Sequence, residues 1–260
     1  MKHWVPFPHP RDAFAYPGAS LKKQWARLHR GDCEPFPDAE AVREAWRAYH
    51  HGDFQLAWQK GAKAGPAGHL AAAKAAGTYA SYLERDKKSA AALLSEAAKL
   101  CEAACEALPQ HANAHYLLAY CLGRYAQKIS VTRALADGVA TRVKDALERA
   151  LKLEPRHAEA HIATGTYHVE VISKVGALLG GLTYGASESE ALAHYRKALK
   201  LLPDSAIARL EYARGLMLLD EGNADEAREL LAQAAKIRPT DAAELLDAEH
   251  AQERLEELEA

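Results

Sequence analysis

A chain of 260 residues with 33 Lys and Arg against 35 Asp and Glu carries no global charge that would draw it to nucleic acid or anionic lipid. Long Ala/Leu/Glu/Lys/Arg stretches punctuated by Gly and Pro favour helix nearly throughout, because these residues lose little side-chain freedom there. No apolar run approaches membrane-spanning length, the opening MKHWVPFPHPRDAF has no apolar signal core, and four cysteines suit buried small residues in a reducing cytoplasm, so a cytoplasmic protein is expected.

In chain order, residues 1–37 come first and hold six of the eleven prolines, together with Trp4, Phe7, Phe14, Tyr16, Trp25 and Phe36. So many aromatics are improbable in a free tail, and an arm packed on the rest of the chain is expected, with ASLKKQWARL helical. Residues 38–240 then repeat. YHHGDFQLAWQKGAKAG (49–65) reads as helix, Gly-Asp-Phe turn, helix, with Ala45 and Ala57 as small crossing residues. Four later segments end alike, at Pro109, Pro155, Pro203 and Pro239. Eight and five residues before each proline stand Cys101 and Ala104, Leu147 and Ala150, Tyr195 and Ala198, Leu231 and Ala234. Ala97, Ala191 and Ala227 lie four residues earlier in three of the cases. Small, large, small at this spacing is one face of a helix packing closely on a neighbour, and proline stops the helix. After each proline the next helix brings a small residue to the crossing: Ala119, Gly165, Gly215.

Paired helices with small crossing residues and a terminal proline resemble tetratricopeptide repeats. The resemblance covers residues 38 to 240 and implies an all-α, right-handed solenoid of antiparallel helix pairs. The segments GRYAQKISVTRALADG, AHIATGTYHVEVISKVGALLGGLTYGAS and ALAHYRKALKLLPDS further resemble a bacterial tetratricopeptide-like family related to regulator of microtubule dynamics proteins. More distantly they resemble the T component of TRAP transporters. What these resemblances imply is a helical binding module, not a reaction.

The repeat length varies. Pro203 to Pro239 is 36 residues, close to the ~34 of a tetratricopeptide unit, whereas Pro109 to Pro155 is 46 and Pro155 to Pro203 is 48. The excess lies between the first helix (A) and the second (B) of each long repeat, so extended helices are expected in the central repeats. In the longest, helix A is expected to run on through VISKVGALL, to turn at Gly180-Gly181, and to overhang helix B by two to three turns. Its apolar overhang is Val175, Leu178, Leu179 and Leu182, facing Ile129, Val131, Leu135 and Val139 of the neighbouring repeat; a dimer interface or the roof of a ligand cavity is the expected use. Ser187, with Glu190 three residues on, starts helix B as a capping box. A phosphate loop would need a preceding strand and a Lys-Ser/Thr after its last glycine, and this stretch has neither. Residues 241–260 carry an apolar stripe (Leu245, Ala248, Leu255, Leu258) under an acidic face, as a C-terminal capping helix would.

Chemistry-bearing residues are few. Cys101, Cys105, His111 and His115 lie close together in sequence, yet Cys101 fills a helix-core slot and zinc-finger spacing is absent, so core cysteines beside a histidine pair are preferred to a metal site. His157, His161 and His168, with Glu170, read as satisfied core histidines rather than bases or ligands. No catalytic motif, cofactor site or metal site is expected.

The resemblance implies that helix A lines a concave groove. The groove-facing residues are then Trp46, Tyr49, Lys74, Thr78, Tyr82, Asn113, Tyr116, Tyr120, Arg124, Glu159, Ile162, Thr166, Arg209 and Tyr212. Tyrosines beside Arg and Lys suit a peptide or a carboxylate-bearing ligand. The Lys/Asn clamp of chaperone-binding members is not reproduced. The expectation is a non-catalytic scaffold for a protein or peptide partner, itself included, with carriage of a small hydrophobic ligand as the alternative.

Overall fold

The computed structural model describes residues 4–260. These form fourteen α-helices and two single turns of 3-10 helix, with no strand among the described residues. The chain divides into two units, Met1–Pro155 with Thr240–Ala243, and Arg156–Pro239 with Glu244–Ala260.

The first unit opens with the arm, whose helix α1 spans Ser20–Leu28. Three helix pairs follow: α2 (Glu40–His50) with α3 (Phe54–Lys63), α4 (Pro66–Tyr82) with α5 (Lys87–Ala107), and α6 (Ala112–Ala126) with α8 (Val139–Leu153). A short helix, α7 (Val131–Ala136), occupies the connection between α6 and α8. Local chemistry sets the boundaries. Gly52 turns the chain at φ +83°, Asp53 caps α3 by accepting from the Leu56 amide at 3.4 Å, Pro66 opens α4, and Asp86 caps α5 through the Ser89 amide at 2.9 Å. The A helices α2, α4 and α6 pack side by side. Small residues let them approach, since a Cβ on Gly77 of α4 would run into the ring of Tyr120 on α6.

The second unit contains α9 (Ala158–Val175), α10 (Ala177–Tyr184), α11 (Glu188–Leu201), α12 (Ala206–Leu219), α13 (Ala224–Ala234) and most of α14 (Ala242–Glu259). Tyr195 of α11 is its centre. The ring lies between two glycines, and a Cβ on Gly165 of α9 or Gly215 of α12 would come within 2.9 or 2.8 Å of it. A glycine inside a helix costs about 1 kcal/mol relative to alanine. Burying a large side chain returns about 2 kcal/mol, so one well-placed ring compensates two glycines. Ala191, Ala198, Ala227, Leu231 and Ala234 complete that core, and Ala248, Ala251, Leu255 and Leu258 of α14 pack against it. The small-and-large pattern before each of these prolines is thus the buried face of the B helices α5, α8, α11 and α13.

The glycine-rich connection departs from expectation. Helix α9 does not run on through residue 179 but ends at Val175, because Gly176 takes φ +83°, a conformation that side-chain-bearing residues rarely adopt. The extra residues form a separate helix, α10, that packs back on α9. Gly180 and Gly181 lie inside this helix. Val171 approaches to 3.2 Å where a Gly180 Cβ would stand, so this glycine permits close packing. The turn lies at Gly185, φ +66°. Ser187 then caps α11 by accepting from the Glu190 amide.

Candidate functional site

The faces of α2, α4 and α6 that were expected to line an open groove are covered by the chain's own arm. Trp46 is fully buried, and Tyr49, Thr78, Asn113 and Tyr116 are nearly so; none lines open surface. Two sets of arm residues cover the first unit. Near the start, Trp4 stacks on Tyr79 with centroids 4.1 Å apart, the Val5 amide donates to the Tyr79 hydroxyl at 3.1 Å, and Phe7 meets Phe54 edge-on. Further on, Trp25 of α1 stands edge-on to Trp46 and donates from Nε1 to the Glu34 carbonyl at 2.7 Å.

After α1 the segment 29–36 crosses from α2 to α6 and is fixed by polar groups. Asp32 is fully buried, with Oδ2 2.5 Å from Lys74 Nζ on α4 and Oδ1 2.9 Å from His29 Nδ1. Glu34 Oε2 accepts from Asn113 Nδ2 on α6 at 2.7 Å. Burial alone would raise the Asp32 pKa, but Lys74 and His29 together hold it well below the usual carboxylate value. At Glu34, burial followed by the Asp32 charge outweighs the bond from Asn113 and the Lys74 charge, and pushes the pKa up to about 8. Burial lowers His111 as well. The 3.6 Å approach of His111 Nε2 to Glu34 Oε1 is therefore a contact of neutral groups at pH 7, whereas Asp32–Lys74 is a true ion pair.

A buried hydrogen-bond chain extends from that pair. His29 Nε2 lies 3.1 Å from His50 Nε2, and His50 Nδ1 lies 2.8 Å from Asp241 Oδ2. Burial lowers His29 to about 4, so its ring is neutral with the proton on Nδ1 facing Asp32. Its Nε2 must then accept from His50, whose other nitrogen faces a carboxylate. The bonds tie neighbouring His29 and Asp32 of the arm to His50 on α2 and, 191 residues beyond it, to Asp241.

Farther along α6, Tyr120 and Arg124 are half-buried. Tyr120 stacks on Tyr116 with centroids 6.0 Å apart, and the Arg124 guanidinium lies 5.6 Å over the Tyr120 ring. Tyr82 of α4 is half-buried too. In the second unit, Glu159 and Arg209 are half-buried and Arg209 bonds Gln233 at 3.1 Å. Ile162 is buried, and so is Tyr212, which stacks on Tyr195 at 5.1 Å. Thr166 binds the Tyr195 hydroxyl at 3.0 Å.

The expected histidine cluster is spread over separate tasks. His157 caps α9 by accepting from the Ala160 amide, His168 accepts from the Ser187 amide, and His161 meets His194 at 2.8 Å. Burial, then His161 and His168, lower His194 to about 4. Cys101 is buried in α5, and His115 bonds the Pro109 carbonyl at 3.1 Å. Among the described residues no three His, Cys, Asp or Glu side chains come together as a metal-holding group. Of the apolar connection, Val175 is half-buried, while Leu178, Leu179 and Leu182 are 79 %, 54 % and 81 % exposed.

Sequence reasoning passed over His29, Asp32, Glu34, His50, Asp241 and His194. The one available signal was the arm itself, whose aromatics demanded a binding surface; the charged residues among them showed no motif.

The model of the family described as regulator of microtubule dynamics protein 1-3 matches residues 67–259. The arm and the first helix pair precede the matched stretch. No curated protein matches the sequence at a significant level. Among solved structures, the crystal structure of a thermophilic tetratricopeptide-repeat protein from Thermus thermophilus is similar at 19% identity and TM-score 0.57, over 82% of this chain and 97% of that one. The likeness is one of fold, an all-α, solenoid-like stack of helix pairs. No helix among the described residues is long and apolar enough to cross a membrane. With most of its length matched by that family's model, the chain belongs to the regulator of microtubule dynamics protein 1-3 family.

Proposed function

We propose that this member of the regulator of microtubule dynamics family is a non-catalytic, cytoplasmic scaffold that binds a protein partner along its A helices. The observation that carries this reading is the arm: segment 29–36 already lies across α2, α4 and α6, held through Lys74 and Asn113. A surface that grips one peptide segment by its carboxyl groups has the chemistry to grip another. Beyond the segment, half-buried Tyr120 and Arg124 continue the row with an aromatic face and a cation. A photo-crosslinking residue in place of Tyr120 should capture a discrete partner in cells, while the same residue in place of exposed Lys99 on α5 should not. Equal capture at both positions, or none, removes the A-helix face as the site.

A second reading rests on α10. Three leucines largely in water on one short helix make an apolar patch suited to self-association or to a small hydrophobic ligand. Mass spectrometry of the purified protein tests for the ligand, and light scattering tests for the dimer.

A further inference from the structure

Within the second unit His161 of α9 and His194 of α11 face each other, Nδ1 to Nδ1 at 2.8 Å with ring centroids 5.0 Å apart. Both rings are half-buried, so the pair keeps contact with water. As neutral rings they share one proton, an N–H of one bonded to the lone pair of the other. Buried His168 stands beside them, its centroid 6.2 Å from that of His194. Its Nδ1 accepts from the Ser187 amide, which in a neutral ring puts the proton on Nε2 and leaves no lone pair to offer.

The preceding repeat shows what packing alone asks for at these positions. His115 of α6 stands four residues before Ala119 as His161 stands four before Gly165, and Ala146 of α8 precedes Leu147 as His194 precedes Tyr195. There Ala146 is buried and His115 turns to the Pro109 carbonyl. A B helix thus packs on its A helix with alanine in the slot of His194. What His194 adds is a second imidazole nitrogen beside the first.

We propose that His161 and His194 form a two-imidazole chelate for a late first-row divalent cation (Ni2+, Cu2+ or Zn2+) that clamps α9 to α11. Imidazole nitrogen is a ligand these ions favour. The ring that donates in the free pair moves its proton to Nε2, and both Nδ1 lone pairs then turn to the ion. Two metal–nitrogen bonds of about 2.0–2.1 Å place their nitrogens about 2.9 Å apart at a right angle and about 3.3 Å apart in a tetrahedron. From 2.8 Å, either arrangement needs only a small swing of the two rings. No third such side chain joins them among the described residues, so water fills the remaining positions. The affinity is then that of an open chelate, below that of a closed structural site. An ion held between α9 and α11 binds the folded unit alone and stabilises it.

The test is titration of the metal-stripped full chain with CuCl2, NiCl2 and ZnCl2, followed by calorimetry and by thermal unfolding. One site should bind more tightly than the chain's other histidines and raise the unfolding temperature. His194→Ala, which copies the residue at 146, should keep the fold, weaken that site at least about tenfold and abolish the thermal shift. His161→Gln should do the same. Equal binding by wild type and His194→Ala would assign the ion to other histidines and overturn the proposal, as would a wild type that binds none of the three ions. Should the variants not fold, imidazole NMR of wild type decides: the first equivalent of Zn2+ should move the His161 and His194 resonances before any other. If those two stand still, the chelate is wrong.

Discussion

Glu34 and Asn113, 79 residues apart, meet in a 2.7 Å hydrogen bond that joins the arm to α6. Burial keeps Glu34 protonated up to about pH 8, against an ordinary value of 4.5, so the fold holds this proton more tightly than the unfolded chain does. Its contribution to stability is full below pH 4.5 and is lost as pH rises through about 8. His29, held down to about 4, and Asp32, held lower still, act in the opposite sense, losing their contribution as pH falls. Above pH 6.5 the Glu34 effect prevails. Wild type should melt at a lower temperature at about pH 8.5 than at about pH 6.5, and Glu34→Gln should flatten that slope. Parallel slopes would show that Glu34 is not the titrating group.

Removing Lys74 strands a buried carboxylate. Lys74→Ala should therefore destabilise the first unit by about 3–5 kcal/mol, the usual cost of breaking a buried pair from one side. Asp32→Asn with Lys74→Met removes both charges and should recover most of that loss. Denaturant titrations of the two variants beside wild type measure it, and an uncorrected double variant would mean that the pair is not the source.

Tyr195 leaves no room on either side. Gly215→Ala places a methyl within 2.8 Å of a ring already backed by Gly165, so the ring cannot retreat. Overpacking of this kind costs about 1–3 kcal/mol. Tyr195→Phe loses only the hydroxyl bond to Thr166 and should cost about 1 kcal/mol. Thermal unfolding should rank Gly215→Ala the more damaging.

The leucines of α10 predict the reverse. Leu182→Glu changes a side chain that is 81 % exposed and should shift stability by less than about 0.5 kcal/mol. If the patch closes a dimer, the same substitution yields monomers by light scattering. A monomeric wild type with no bound ligand would retire the patch as an interface.

The repeat was legible because its signals are local. A proline and two core residues five and eight positions before it are read within one helix, and Leu147, Tyr195 and Leu231 are buried where that reading puts them. The end of α9 was not legible. Apolar residues run unbroken across Gly176, and the left-handed backbone there is set by packing α10 onto α9, which leaves no mark on the hydrophobic pattern. The covered face was harder still. Lys74 and Asn113 stand in groove positions, but their partners lie 42 and 79 residues away on a segment with no repeat character. Composition could say that the arm packs and not where.

Gly176 and Gly185, at φ +83° and +66°, bracket α10 like the two ends of a cassette. What lies between them is read by its own short helix, and what lies outside them, from Gly165 back and from Ala191 on, is read by the Tyr195 core. Residues on the outer side of α10, Leu178 and Leu182 among them, can therefore change without shifting the register of α9 against α11, so long as Gly180 keeps its place against Val171. The outer side of this helix is a natural attachment point: a fluorophore or tag carried at residue 178 or 182 would be displayed from the second unit without a change to its core.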